Sequence, residues 1–304
     1  MSKDINIILL SGGGMRSLSF IGVFKNLEEI LLKKTENPSD VSIPNINIKT
    51  MGAVSAGSIF ALMYIIGYTS NEMEEIILKK NLRKLKKIRF INFIKNYGLD
   101  SGGKIISWIH SLMLKKKYNK DITLKEMYDK TGIDFQIFAT NLNKYKLTKF
   151  NYIQTPDLKV TDAIRMSISI PFIFTINKFN LETLEMGSGD TYVDGGLINN
   201  YPINEFKDSL SNLLGLKIIS QGEMENHELN EDINNMQSYV YHVLSCFMKK
   251  RNIERELSEE TIYINIQGTT RTINFDLSSK DIKELIKIGY NESIRYFDNC
   301  VSQI

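Results

Sequence analysis

"LLSGGGMRS", residues 9–17, sets three consecutive glycines directly after an apolar run, with an arginine close behind them. A glycine run in that place lets the chain turn sharply from strand into helix, and lets backbone N–H groups face a ligand with no side chain in the way. Two ligands suit such a turn: a nucleotide phosphate, or the oxygen of a reacting ester. A phosphate loop needs G-x-x-x-x-G-K-[ST], and a dinucleotide site needs G-x-G-x-x-G with an acid about 20 residues on. Neither spacing surrounds Gly12, Gly13 and Gly14, and no lysine reaches back toward them. An isolated triplet is equally well explained as a tight turn, so the decision falls to the rest of the chain.

Ile5 to Leu10 reads as a buried strand, and "SLSFIGVFKNLEEILLKK" after the glycines has the apolar spacing of an amphipathic helix. The same order then repeats. "INIKTMGAV" reads as a strand, Ser55 stands at the turn, and "AGSIFALMYIIGY" reads as an apolar helix. "DFQIFATNL", "TYVDGG" and "LLGLKIIS" are further strand candidates, whereas "TDAIRMSISI" and "SKDIKELIKIGYNESIRYF" read as helices. Short apolar strands alternating with helices predict an α/β fold with a largely parallel sheet covered on both faces. No internal repeat or Pro/Gly/Ser-rich linker divides the chain, so residues 1–304 are expected to form one domain.

Composition narrows the function classes. The chain has 304 residues, is 42% hydrophobic and 24% charged, and can bury a large core. A net charge of +3 is too mild to argue for a nucleic-acid partner. Two cysteines, Cys246 and Cys300, supply neither a disulfide framework nor a zinc motif. The N-terminal apolar run falls short of the ~7–15 residues of a signal-peptide core, and no stretch reaches the ~18 apolar residues of a membrane span. A cytoplasmic protein is expected.

Two more motifs carry chemistry. "GAVSAGS" places Ser55 between strand and helix with small neighbours, close to the G-x-S-x-G elbow that exposes a nucleophilic hydroxyl. An N-cap serine would look the same. "YVDGGLINNYP" sets Asp194 before Gly195 and Gly196, where an aspartate is also a common turn former.

Together, in this order, the motifs resemble the patatin-like phospholipase family, from about Ile7 to Phe297. "SGGGMRSLSFIGV" is similar to that family's glycine-rich oxyanion motif, "GAVSAG" to its serine elbow and "VDGG" to its Asp-Gly-Gly turn. "TDAIRMSISIPFIF", "ATNL" and "GLDSGGKI" also fall in the family's order. The resemblance implies a three-layer α/β/α fold and a serine acyl-hydrolase of the phospholipase A or lysophospholipase type, needing no metal or cofactor. It implies a dyad of Ser55 and Asp194, an oxyanion hole from Gly12, Gly13 and Gly14 with Arg16 bracing it or adding positive potential, and turns shaped by Gly57, Gly195 and Gly196. The elbow departs from the pattern at Ala53, with Gly52 displaced by one position. That substitution is expected to spare the fold and to put activity in question. A neutral-lipid lipase, an acyltransferase and a silent lipid-binding scaffold stay open as alternatives, as does an activator protein. None of the three histidines lies in a motif, although a Ser, Asp, His order would admit His242 as base.

Residues 79–95, "KKNLRKLKKIRFINFIK", hold eight cations and no acid. With Leu82, Leu85, Ile88, Phe90 and Ile91 interleaved, Lys84, Lys86, Lys87 and Arg89 are candidate contacts to anionic headgroups on a basic amphipathic surface, making the protein peripheral on membranes. A solvated helix face and a nuclear-import signal explain the same pattern.

Overall fold

The computed structural model describes residues 5–34, 47–220, 243, 258–266 and 275–301. In chain order the first part holds β1 (Ile7–Leu10), α1 (Ser19–Lys34), β2 (Thr50–Val54), α2 (Ala56–Ile65), α3 (Ser70–Lys79), α4 (Phe90–Asn96), β3 (Gly98–Asp100), α5 (Gly103–Lys115) and α6 (Leu124–Thr131). There follow β4 (Asp134–Asn141), β5 (Lys146–Phe150), α7 (Val160–Ser167), β6 (Phe172–Phe174), β7 (Asn177–Asn180), β8 (Glu185–Met186), β9 (Asp190–Asp194), β10 (Leu213–Ser220), β11 (Thr261–Ile266) and α8 (Ser279–Val301).

The main sheet is mostly parallel and flanked by helices, as the alternation of apolar strands and helices predicts. Its strands run β11-β10-β1-β2-β4, every neighbouring pair parallel. β1 sits at the centre with all four residues buried, which is why IILL reads as an unbroken apolar run rather than an alternating one. Beyond β4 the direction changes. β5 and β9 pair antiparallel with β4, and β7 and β8 continue antiparallel from β9. "TYVDGG" is thus a strand, as its pattern says, but not a parallel one. Short connections set two of these pairs: β4 to β5 is a hairpin, and the chain from β7 to β9, which contains β8, is too short for a parallel crossover.

Alternate residues of the central strands feed two cores. Ile8, Leu10, Met51, Ala53, Leu214 and Leu216 join the larger one, shared with α1, α2 and α5. On the opposite face Ile7, Leu9, Val54, Phe138 and Leu213 pack with Tyr201 and with Phe206 of a 3-10 segment, Ile203–Asn212. α2 is apolar around its whole circumference because it is an interior helix, buried from Phe60 to Ile65. α8 packs on α1 and locks to it where Asn26 donates to Ser293 Oγ at 2.9 Å and Tyr290 donates to Glu29 at 2.7 Å.

Candidate active site

Register along β4 brings the two motifs together. Val54, the last residue of β2, pairs with Phe138, and Asp194, the last of β9, pairs with the next residue, Ala139. Residues 137–141 give their other edge to β5. β2 and β9 therefore follow one another along one edge of β4, and Ser55, next after β2, arrives beside Asp194.

Ser55 stands at φ 51° and ψ −133°, on the left-handed side where a residue with a Cβ costs on the order of 1–3 kcal/mol. Specific hydrogen bonds hold it there. Its N–H donates to Ser167 Oγ at 2.8 Å, and that hydroxyl donates to the Phe138 carbonyl at 2.6 Å, tying the elbow to α7 and β4. Ser55 occupies the N-cap position of α2 but makes no side-chain cap bond. Its hydroxyl donates instead to Asp194 Oδ2 at 2.5 Å.

Asp194 is held at every polar atom. Oδ1 accepts the Gly196 N–H at 2.8 Å, its own N–H donates to the Ser169 carbonyl at 2.9 Å, and its carbonyl accepts from Thr140 Oγ1 at 2.9 Å. It is thus both the turn former that Asp-Gly suggests and a partner of the serine. Burial pushes its carboxyl from 3.8 up to about 6, against the opposing pull of the hydrogen bonds from Ser55 and Gly196. A carboxylate so placed can take up a proton near neutral pH.

The glycine loop crosses over the serine. An alanine Cβ at Gly12 would lie 3.1 Å from Ser55 Cβ and 2.3 Å from Asn200 Oδ1. Asn200 pins this residue from both sides: its carbonyl accepts the Gly12 N–H at 3.2 Å, and its Nδ2 donates to the Gly12 carbonyl at 3.0 Å. Gly14 adopts φ +54°, which turns the chain into the 3-10 turn Gly14–Leu18 and favours glycine there. Among the described residues the amides of Gly13 and Gly14 meet no acceptor. Ser11 anchors the loop to β10, donating its N–H to the Leu216 carbonyl at 2.9 Å and accepting the Ile218 N–H on Oγ at 3.0 Å.

Arg16 is buried, which excludes a surface cation, and its N–H donates to the Gly13 carbonyl at 3.0 Å. Ala53 is a fully buried strand residue paired with Leu10 and Ile137, and its backbone does not enter the left-handed region, so its methyl group packs without strain. Gly57 and Gly195 sit where a Cβ would come within 2.6 Å of the Ser11 carbonyl oxygen and 2.5 Å of the Phe138 carbonyl oxygen.

A partly open apolar pocket at Ser55 and Gly14 is lined also by Met15, Ile59, Ile105, Trp108, Phe174 and Phe275. Its apolar lining suits a hydrocarbon chain whose carbonyl end stays at the serine.

The basic stretch is not the continuous amphipathic surface that its spacing suggests. α3 ends at Lys79, a 3-10 turn covers Leu82–Leu85, and Lys86 to Arg89 are extended before α4 begins. Leu82 and Leu85 are drawn inward to line the pocket, which breaks the helix period. Lys86 is half-buried with its ammonium over the Phe275 ring, whereas Lys84, Lys87 and Arg89 are exposed.

His110 lies on α5 and makes no hydrogen bond to Ser55 or Asp194; His227 and His242 lie outside the described residues. Among the described residues no three His, Cys, Asp or Glu side chains gather as a metal site requires, and no helix is long and apolar enough to cross a membrane. The bonds of Ser167 to Ser55 and of Asn200 to Gly12 are not legible in the sequence, although both residues stand in the quoted segments "MSISIP" and "GLINNYP". The only available signal was that position, since their partners are 112 and 188 residues away.

The patatin-like phospholipase family model matches residues 8–207. The chain is 30% identical over 296 residues to uncharacterized protein R571 of Acanthamoeba polyphaga mimivirus, covering 94% of this chain and 92% of that one. It is 28% identical over 299 residues to "Probable lipid hydrolase 463L" of Invertebrate iridescent virus 6, covering 95% and 87% respectively. In fold it is similar to VipD from Legionella pneumophila, with TM-score 0.58 at 16% identity, over 97% of this chain and 67% of that one.

Proposed function

This chain belongs to the patatin-like phospholipase family and is a lipid acyl hydrolase, and we propose that it cleaves phospholipid or lysophospholipid esters through Ser55 and Asp194. The observation that carries the proposal is the 2.5 Å hydrogen bond from Ser55 Oγ to Asp194 Oδ2 at the head of an apolar pocket.

As the Ser55 oxygen attacks the ester carbonyl, its proton passes to Asp194. The negative charge that develops on the carbonyl oxygen is met by the Gly13 and Gly14 amides, each worth on the order of 10²–10³ in rate. Collapse of the tetrahedral intermediate breaks the ester C–O bond, and the departing alkoxide takes the proton back from Asp194. Water then attacks the acyl-serine, giving a proton to Asp194 as it does so; Ser55 recovers that proton as the fatty acid leaves. The buried Arg16 adds positive potential to the loop. The strands of the main sheet come from positions between Ile7 and Ile266, which supports reading the chain as one catalytic domain. Because its substrate is held in lipid aggregates, the enzyme works as a peripheral protein at their surface.

The test is fatty-acid release from vesicles of phosphatidylcholine mixed with an anionic phospholipid, comparing wild type with Ser55→Ala and Asp194→Asn. Release from wild type and none from either variant is expected. Release that survives either substitution overturns the dyad.

A further inference from the structure

The structure around the apolar pocket has two faces of opposite character. Leu82, Leu85, Ile105 and Phe174 turn inward and line the pocket that begins at Ser55. On the outside, Ile88, Ile91 and Ile94 are 47%, 53% and 75% exposed. Of the twelve exposed large apolar side chains among the described residues, five fall between Ile88 and Tyr97. Scattered apolar exposure is ordinary on a protein surface; a cluster of this kind marks an interaction site.

The cluster sits on a single braced unit. Ile88 bridges to Asp100, the Arg89 N–H donates to the Leu99 carbonyl at 2.8 Å, and Ile176 donates to the Asn96 carbonyl at 3.2 Å. β3 pairs with β6, which brings the exposed Phe172 beside Gly98. The Lys87 N–H bonds to the Asp100 carboxylate, so the extended stretch before α4 is fastened to the same unit.

Charge decides what covers this face. Lys84, Lys87, Arg89 and Lys95 are exposed and form no ion pair among the described residues, and residues 79–95 contain no acid. Of the nearby acids, Asp100 is buried and Asp276 is paired with Arg83 at 2.8 Å. Exposed isoleucines bordered by uncompensated cations complement a surface that offers hydrocarbon in depth and negative charge at its boundary.

We propose that Ile88, Ile91, Phe93, Ile94 and Tyr97, with Lys84, Lys87, Arg89 and Lys95, form the surface by which this protein docks on an anionic lipid bilayer, setting the pocket against the membrane. The proposal deepens the lipid-hydrolase reading and rests on it for the substrate's presence in that bilayer, but docking itself is measured without catalysis.

The experiment is co-sedimentation with vesicles of phosphatidylcholine alone and of phosphatidylcholine mixed with phosphatidylglycerol. It uses wild type, Ser55→Ala, Ile91→Asp/Ile94→Asp and Lys87→Ala/Arg89→Ala, with the melting temperature of all four, and turnover of a soluble short-chain ester by the two surface variants, as controls of the folded state. Wild type and Ser55→Ala should bind the mixed vesicles equally and the neutral ones much more weakly. Each cation removed should weaken binding about fivefold, so the Lys87/Arg89 variant loses roughly 25-fold. The isoleucine variant should lose more than tenfold. Folded variants that bind mixed vesicles as wild type does overturn the proposal, as does equal binding to neutral and anionic vesicles. Sedimentation velocity showing a wild-type dimer that Ile91→Asp/Ile94→Asp abolishes, with vesicle binding unchanged, overturns it in favour of a second copy of the chain. If the predicted binding pattern holds but wild type cleaves no ester, docking stands and the catalytic reading falls.

Discussion

At Asp194, burial and hydrogen bonding act in opposite directions. Burial disfavours the carboxylate, the Ser55 hydroxyl and the Gly196 amide favour it, and burial wins, leaving the group at about 6. Two pH effects follow, with different signs. In its proposed role as base Asp194 must be ionised, so kcat/KM should rise about tenfold per pH unit below 6 and level off above it. For stability, the folded chain holds this proton more tightly than the unfolded chain, whose carboxyl titrates near 3.8. The contribution is therefore fully present below pH 3.8 and is lost as pH rises through 6, a loss of about 3 kcal/mol. Asp194→Asn does not titrate, so its melting temperature relative to wild type should climb between pH 4 and pH 7. A difference that stays flat over that range contradicts the buried-base account.

The elbow, as an element, shows which parts of the site could be read from sequence. Gly12 to Gly14, Ser55 and Asp194 are legible because each stands in a short local motif, SGGG, GAVSAG or VDGG, whose residues are contiguous in the chain. Ser167 and Asn200 act through bonds to distant segments, and a serine or asparagine in a loop advertises no such partner. The basic stretch was misleading for a related reason: apolar residues at helical spacing cannot reveal that Leu82 and Leu85 will be pulled into a pocket while Ile91 and Ile94 are left outside. Antiparallel β9 was hidden too, since VDGG is compatible with either strand direction. Ala53 looked like a threat to activity when compared with a glycine pattern. In the structure it is a strand residue in the core, so restoring glycine should leave fatty-acid release unchanged and lower stability by roughly 0.5–1 kcal/mol, read by chemical denaturation. A large gain in turnover from Ala53→Gly would contradict this.

At the scale of the whole molecule, the site lies where the C-terminal ends of β1 and β2 meet the start of the antiparallel region, a common place for ligands in open α/β sheets. The pocket that opens at Ser55 is lined in part by Leu82 and Leu85, which lie a few residues before the exposed isoleucines in the chain. Ile105→Trp, at the pocket wall, should depress kcat/KM for long-chain esters by at least tenfold relative to a short-chain ester, with an overpacking cost of about 1–3 kcal/mol in stability. An unchanged ratio would place the acyl chain elsewhere. All of this depends on Ser55 being a nucleophile activated by Asp194. The most direct measurement is the rate of covalent labelling by a fluorophosphonate, with the modified residue located by mass spectrometry. The account predicts label on Ser55, at a rate that rises with pH through about 6 and falls at least 100-fold in Asp194→Asn. Label on another residue, or Asp194→Asn labelled as fast as wild type while His242→Ala is inert, would contradict it.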